Sequence, residues 1–136
     1  MREIYFRGKD EWGNWREGDL IFATLGAGQK PMIMDAYDEF DLANNMFEVA
    51  PETVGQSTGL YDTDGREIYE GDVLNTLYGH LGVSYKQEWA AFVACGVDKT
   101  GYYHEYLLDE IVNTPVRRAE IKVIGNIHDD PGLLEG

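Results

Sequence analysis

Thr58-Gly59-Leu60-Tyr61-Asp62-Thr63-Asp64-Gly65-Arg66-Glu67-Ile68-Tyr69-Glu70-Gly71-Asp72-Val73-Leu74 is the most sharply patterned stretch of the chain. Asp64-Gly65 separates two short runs, Leu60-Tyr61 and Ile68-Tyr69, and Asp-Gly is favoured where a hairpin turn needs two residues at positive φ. The stretch therefore predicts a β-hairpin. Glu70-Gly71-Asp72 then interrupts the second run as a glycine at a bulge does, because only glycine takes left-handed backbone without steric cost. One bent strand from 66 to 75 is expected, with Asp64, Gly65 and Gly71 as turn residues. Glu17-Gly18-Asp19 repeats the same tripeptide before Leu20-Ile21, so Gly18 is expected to kink a second strand likewise. No period of roughly 20 to 50 residues accompanies the recurrence, which reads as shared turn chemistry and not as duplication.

Working outward, Glu3-Ile4-Tyr5-Phe6-Arg7 reads as a first strand by its β-favouring residues. Trp12-Gly13-Asn14-Trp15 reads as a tight turn into a second strand running from Trp15 to Thr24. Gly26-Ala27-Gly28-Gln29-Lys30-Pro31 has loop composition, and its Gly-x-Gly lacks the helix start and third glycine of a dinucleotide fingerprint. Met32-Ile33-Met34 and Phe47-Glu48-Val49 are expected as brief strands, while Tyr37, Phe40 and Phe47 share one helical face if the segment between them is helical. Downstream, Glu88 to Ala94 reads as a buried strand. Tyr103, Leu107, Leu108, Ile111 and Val112 recur at helical spacing and predict a short helix over 103–112. A last strand is expected over Ala119 to Ile124, and Asp130-Pro131 has the form of an N-cap followed by proline in a closing helical turn.

At 136 residues the chain suits a single domain, 1–136, with one core. No window approaches the roughly 18 apolar residues of a membrane span. The N-terminus lacks the apolar segment of a signal peptide and the sole cysteine has no internal partner, which together place the expected location in the cytoplasm. Eleven basic against twenty-five acidic residues give a net charge of -14, which repels a phosphate backbone and argues against direct nucleic-acid binding. From Pro31 to Gly65 there is no Lys or Arg, whereas Asp35, Asp38, Glu39, Asp41, Glu48, Glu52, Asp62 and Asp64 are acidic. Asp35, Tyr37, Asp38, Glu39, Phe40 and Asp41 are the candidate partner-binding residues, the aromatics as anchors and the acids steering a basic surface.

Constellations for catalysis or metal binding are weak. Asp62-Thr63-Asp64-Gly65 resembles the start of a calcium loop, but the sixth position falls on Glu67 where glycine is needed and the twelfth on Val73 where a bidentate Glu is needed. His80, His104 and His128 lie at no metal-ligand spacing, and Cys95 sits in the apolar run Ala91 to Gly96, where thiols are usually inert. A His–acid pair could be assembled by the fold, for instance His128 with Asp129 or Asp130. No catalytic residue, metal or cofactor is therefore assigned. Trp12, Trp15, Tyr61, Tyr69, Tyr78 and Trp89 supply either core packing or an aromatic binding face.

The chain resembles the YopX family of phage and prophage proteins. The likeness is carried by Pro51-Glu52-Thr53-Val54-Gly55-Gln56, by Thr58-Gly59-Leu60 with Asp64-Gly65, by Ile68-Tyr69-Glu70-Gly71-Asp72-Val73 and by Val123-Ile124-Gly125-Asn126-Ile127. Phe6-Arg7-Gly8-Lys9 and Trp15 with Gly18-Asp19-Leu20-Ile21 extend it to the N-terminus. The resemblance implies a small, mostly β protein of phage or integrated phage genomes, in a bacterial cytoplasm, with no catalytic residues to carry over. The expected architecture is mainly β, a small strongly bent sheet or an SH3-like barrel with one or two short helices, its glycine kinks turning the corners. The expected function is non-enzymatic binding of a host or phage protein through an acidic surface, with self-association admitted. The alternative is a small hydrolase or nucleotide-binding enzyme whose site is assembled from scattered acids and histidines.

Overall fold

A computed structural model describes residues 3–26, 28–34, 45–114 and 121–135. The chain is mainly β, built from antiparallel sheets with one short α-helix among the described residues, and divides into two compact units, Met1–Ser57 and Thr58–Gly136. Among the described residues neither sheet closes into a barrel, so of the two expected architectures the bent open sheet holds. No described helix is long and apolar enough to cross a membrane.

The first unit carries β1 (Phe6–Lys9), β2 (Trp15–Leu25), β3 (Gly28–Met34), β4 (Met46–Glu48) and the start of β5 (Gly55–Tyr61). β2 pairs with β1 on one side and β3 on the other, and β4 adds to β3. The 28–31 segment, a loop by composition, is strand: Gln29 faces Thr24, Lys30 faces Ala23 and Pro31 faces Phe22. Cross-strand pairing with β2 overrides the local glycine and proline signal. The expected first strand is likewise shifted toward the C-terminus, because it is Phe6 to Lys9 that find Gly18 to Trp15 opposite them. Ile33 and Val49 are buried here. The Pro51-Glu52-Thr53 motif is a 3-10 turn whose Thr53 hydroxyl donates to the Ala50 carbonyl (2.6 Å) and accepts the Lys9 N–H (2.9 Å), clamping β1.

In the second unit the end of β5 forms the expected hairpin with β6 (Glu67–Tyr69). Its turn differs in detail: Gly65 has φ 83°, and among the described residues the one non-glycine with positive φ is Ala90, so Asp64 does not. The strand expected over 66–75 is two strands, β6 and β7 (Asp72–Thr76). The break lies at Gly71, where φ is 93°; its N–H donates to the Val83 carbonyl (2.8 Å) and its carbonyl accepts the Ile127 N–H (3.0 Å). Asp72 closes the corner by accepting the Tyr69 N–H at 2.8 Å. Gly18, the other copy of the tripeptide, lies inside β2 opposite Phe6 at φ 158°. One tripeptide thus makes a corner in one place and puts a positive-φ glycine inside a continuous strand in the other.

The second sheet has the order β10 (Tyr103–Leu107), β9 (Ala91–Val97), β8 (Gly79–Lys86), β7, β11 (Lys122–Asn126). Ile68, Leu74, Leu81, Val83 and Ala94 form its core with Leu108, Ile111 and Val112 of α1 (Leu108–Asn113) and with Ile121. The helix expected over 103–112 is helical only in its second half. Tyr103 to Leu107 pair residue by residue with Val97 to Val93, a cross-strand ladder that the local spacing of Tyr103 and Leu107 does not reveal. The strand expected over 88–94 starts later, because Gln87–Trp89 is a 3-10 turn ended by Ala90 and Trp89 is not buried. The closing turn over Pro131–Glu135 is present, with the Asp130 carboxylate accepting the Gly132 N–H at 3.2 Å.

Candidate protein-binding face

Three turns of one design organise acids that the sequence reading left scattered. Each begins with Asp and has Gly three residues on: Asp10-Glu11-Trp12-Gly13-Asn14, Asp62-Thr63-Asp64-Gly65-Arg66 and Asp98-Lys99-Thr100-Gly101-Tyr102. In each, the glycine N–H donates to the Asp carbonyl (3.1, 3.1 and 3.0 Å) and the Asp N–H to the carbonyl of the fifth residue (2.9 Å in all three). The Asp Oδ1 accepts the N–H groups of the third and fifth residues at 2.9 to 3.1 Å. The glycines have φ of 82°, 83° and 88°, the left-handed position that closes a hairpin with a glycine bulge.

What differs is the partner of Oδ2. Asp10 Oδ2 takes Arg16 Nε at 2.8 Å, Asp98 Oδ2 takes His104 Nε2 at 2.8 Å, and buried Asp62 Oδ2 takes the Val123 N–H at 3.0 Å. Burial raises the Asp10 carboxyl, but the Asn14 N–H, Arg16 and the Trp12 N–H together outweigh it and hold the group below its ordinary value. The Thr100 hydroxyl, then His104 and the turn N–H groups, hold Asp98 well below its own. Asp62 is thus a turn organiser, both oxygens committed to backbone donors. Asp64 contributes its N–H to that carboxylate and leaves its own side chain exposed.

The fold pairs His104 with Asp98, six residues before it. A carboxylate only accepts, so Nε2 carries a proton, and Nδ1 faces the Tyr106 hydroxyl at 2.7 Å. Tyr78 stacks on both His104 and Tyr106 (centroids 5.1 and 4.6 Å), and Tyr102 meets His104 edge-on at 5.0 Å. Both imidazole nitrogens are engaged in holding this end of β10. His80 Nδ1 donates to the Leu133 carbonyl at 2.8 Å, and the His128 N–H donates to the Asn126 side chain.

Alternation along β10 sends Tyr103, Glu105 and Leu107 to the face opposite His104 and Tyr106. There two shallow hollows adjoin. One, of about 390 Å³, is lined by Ser84, Lys86, Cys95, Tyr103 and Glu105 among others. The second, of about 420 Å³, is lined by Trp89, Glu105, Tyr106, Leu107 and Glu110. Glu105 borders both, pairs with Lys86 Nζ and accepts the Tyr103 hydroxyl at 2.7 Å. Lys86 and then Tyr103 hold the Glu105 carboxyl down, while the bond to Glu105 and burial raise the Tyr103 phenol, which stays neutral. Lys86 Nζ also lies 4.0 Å from the centre of the Trp89 ring. Cys95, read as buried, is half-buried against this hollow. The arrangement sets aromatic surface beside paired charges.

The candidate residues Asp35, Tyr37, Asp38, Glu39, Phe40 and Asp41 lie outside the described residues. Of the aromatics singled out in sequence, Tyr69 is core, Tyr78 stacks in the histidine cluster, Trp12 and Tyr61 are exposed, and Trp89 reaches the hollows. Trp15 lies under Arg7 and Lys9, with ring-centre distances of 4.9 and 5.7 Å. The sequence reading missed Lys86, Tyr103, Glu105 and Glu110, which only the β8–β9–β10 register brings together. It also missed the recurrent Asp-x-x-Gly, which is visible in the sequence at 10–13, 62–65 and 98–101.

No curated protein matches the chain. The crystal structure of protein EF1440 from Enterococcus faecalis is similar over 98% of this chain and 99% of that one, at 22% identity and a TM-score of 0.43. The family described as YopX protein matches residues 6–135, nearly the whole chain, and the turns and strand entries described above fall within that span. The chain belongs to the YopX family.

Proposed function

We propose that this protein is a non-enzymatic accessory protein of phage or integrated phage genomes, acting in the bacterial cytoplasm by binding a host or phage protein with a basic surface. The observation that carries the reading is the exposure of large aromatics along β8 to β10 of a chain with net charge -14. Tyr85 and Trp89 are each 49% exposed, Tyr103 54% and Tyr102 67%. Aromatic side chains of this kind are the usual anchors of interfaces, and surrounding charge sets encounter rate and partner choice. The acids of the 35–41 segment contribute to that net charge.

The test is capture on the immobilised protein from lysogenic or infected host cells, followed by binding of the purified candidate at low and high salt. Replacing Asp35, Asp38, Glu39 and Asp41 by Asn or Gln is expected to weaken binding and flatten its salt dependence, because attraction between exposed charges is screened. Unchanged affinity at both salt concentrations, or no protein retained in stoichiometric amount, overturns the reading.

A further inference from the structure

We propose that the paired hollows beside β8 and β10 are a socket for an arginine or lysine side chain of a basic partner segment, with Trp89 as aromatic wall and Glu105 and Glu110 as anions. The inference rests on the protein-binding reading above and names the surface and the chemistry of its partner. Trp89 ends its 3-10 turn against Ala90, held in left-handed backbone at φ 49°. Left-handed backbone costs a non-glycine residue roughly 1 to 2 kcal/mol, and such strain concentrates where a side chain must be presented.

Lys86 demonstrates the chemistry from within. Its ammonium lies 4.0 Å from the centre of the Trp89 ring and pairs with Glu105, so this ring and this carboxylate already hold a cation between them. Glu105 faces the second hollow as well, where Trp89 recurs, Glu110 adds a carboxylate from α1, and Leu107 offers apolar surface to a methylene stem. Among the described residues lining the two hollows, Lys86 is the single cation against Glu88, Glu105 and Glu110. A guanidinium suits this site best, since it stacks on an aromatic face while forking to carboxylates.

The test is an NMR titration of the full chain with a blocked Gly-Arg-Gly-Arg-Gly peptide, using the glutamate counterpart as control. Shifts are expected at the Trp89 indole, Glu105, Tyr106 and Glu110, with Glu110→Gln weakening binding about fivefold. Lys86→Met, which vacates the site, should tighten binding about as much. Lys99→Gln changes net charge equally in the Asp98 turn and should leave affinity unchanged. Shifts spread over the whole acidic surface, or equal effects of Lys86→Met and Lys99→Gln, overturn the socket and leave general charge attraction. That outcome does not touch the captured-partner experiment, which the 35–41 charges decide separately.

Discussion

The turn at Asp10 in the first unit and the turn at Asp98 in the second share one backbone. Asp, the glycine three residues on and the fifth-residue N–H superimpose bond for bond in kind and length. Their seventh-residue partners differ, Arg16 in one and His104 in the other. Arg16 is a permanent cation that also covers the Phe47 ring at 3.7 Å, whereas His104 belongs to a stacked aromatic cluster. The difference teaches that Asp and Gly set the turn, and that the residue two positions beyond the turn sets how it is anchored. The Asp62 turn carries this further, because its second oxygen is anchored on the backbone of β11 through Val123, sixty-one residues away in sequence.

That ranking can be broken by experiment. Asp62→Ala removes a buried acceptor of three backbone N–H groups and should cost about 3 kcal/mol or more in urea unfolding. A loss smaller than that of Asp10→Ala would show that the Val123 anchor adds nothing.

Glycine substitutions probe the shared part. Gly13, Gly65 and Gly101 each have open space where a Cβ would sit, so Ala at any of them meets backbone strain alone. Each should cost about 1 kcal/mol, and all three about equally. Unequal costs would mean that the turns are not one device.

Acid separates the anchors more gently. Asp10 and Asp98 are both held below their ordinary values, so their contribution is present above the unfolded carboxylate pKa of about 3.9 and lost as pH falls through the lower folded values. The melting temperature should be level from pH 7 to about 5 and fall below about 4, with Asp98→Asn reducing that fall. An unaltered acid limb in the variant would remove Asp98 from the account. The smallest effect is expected at Asp64→Ala, within about 0.5 kcal/mol, since that side chain is exposed; a larger loss would shift weight in the turn from Asp62 to Asp64.

Sequence alone determined the β class, the hairpin at Asp64-Gly65, a bend at Gly71, the closing helical turn and the family, because these rest on backbone permissions of glycine, proline and aspartate that act within a few residues. Tertiary structure decided what depends on which backbone lies alongside, near or far in the chain. Tyr103 to Leu107 are strand because β9 lies beside them, Asp62 is buried because β11 supplies Val123, and Gly28 to Lys30 are strand because β2 faces them. The hollows around Glu105 follow the same rule: Lys86, Cys95 and Glu105 come from three strands, and only the inter-strand register sets them on one face, since strand side chains alternate and a one-residue slip would turn each away.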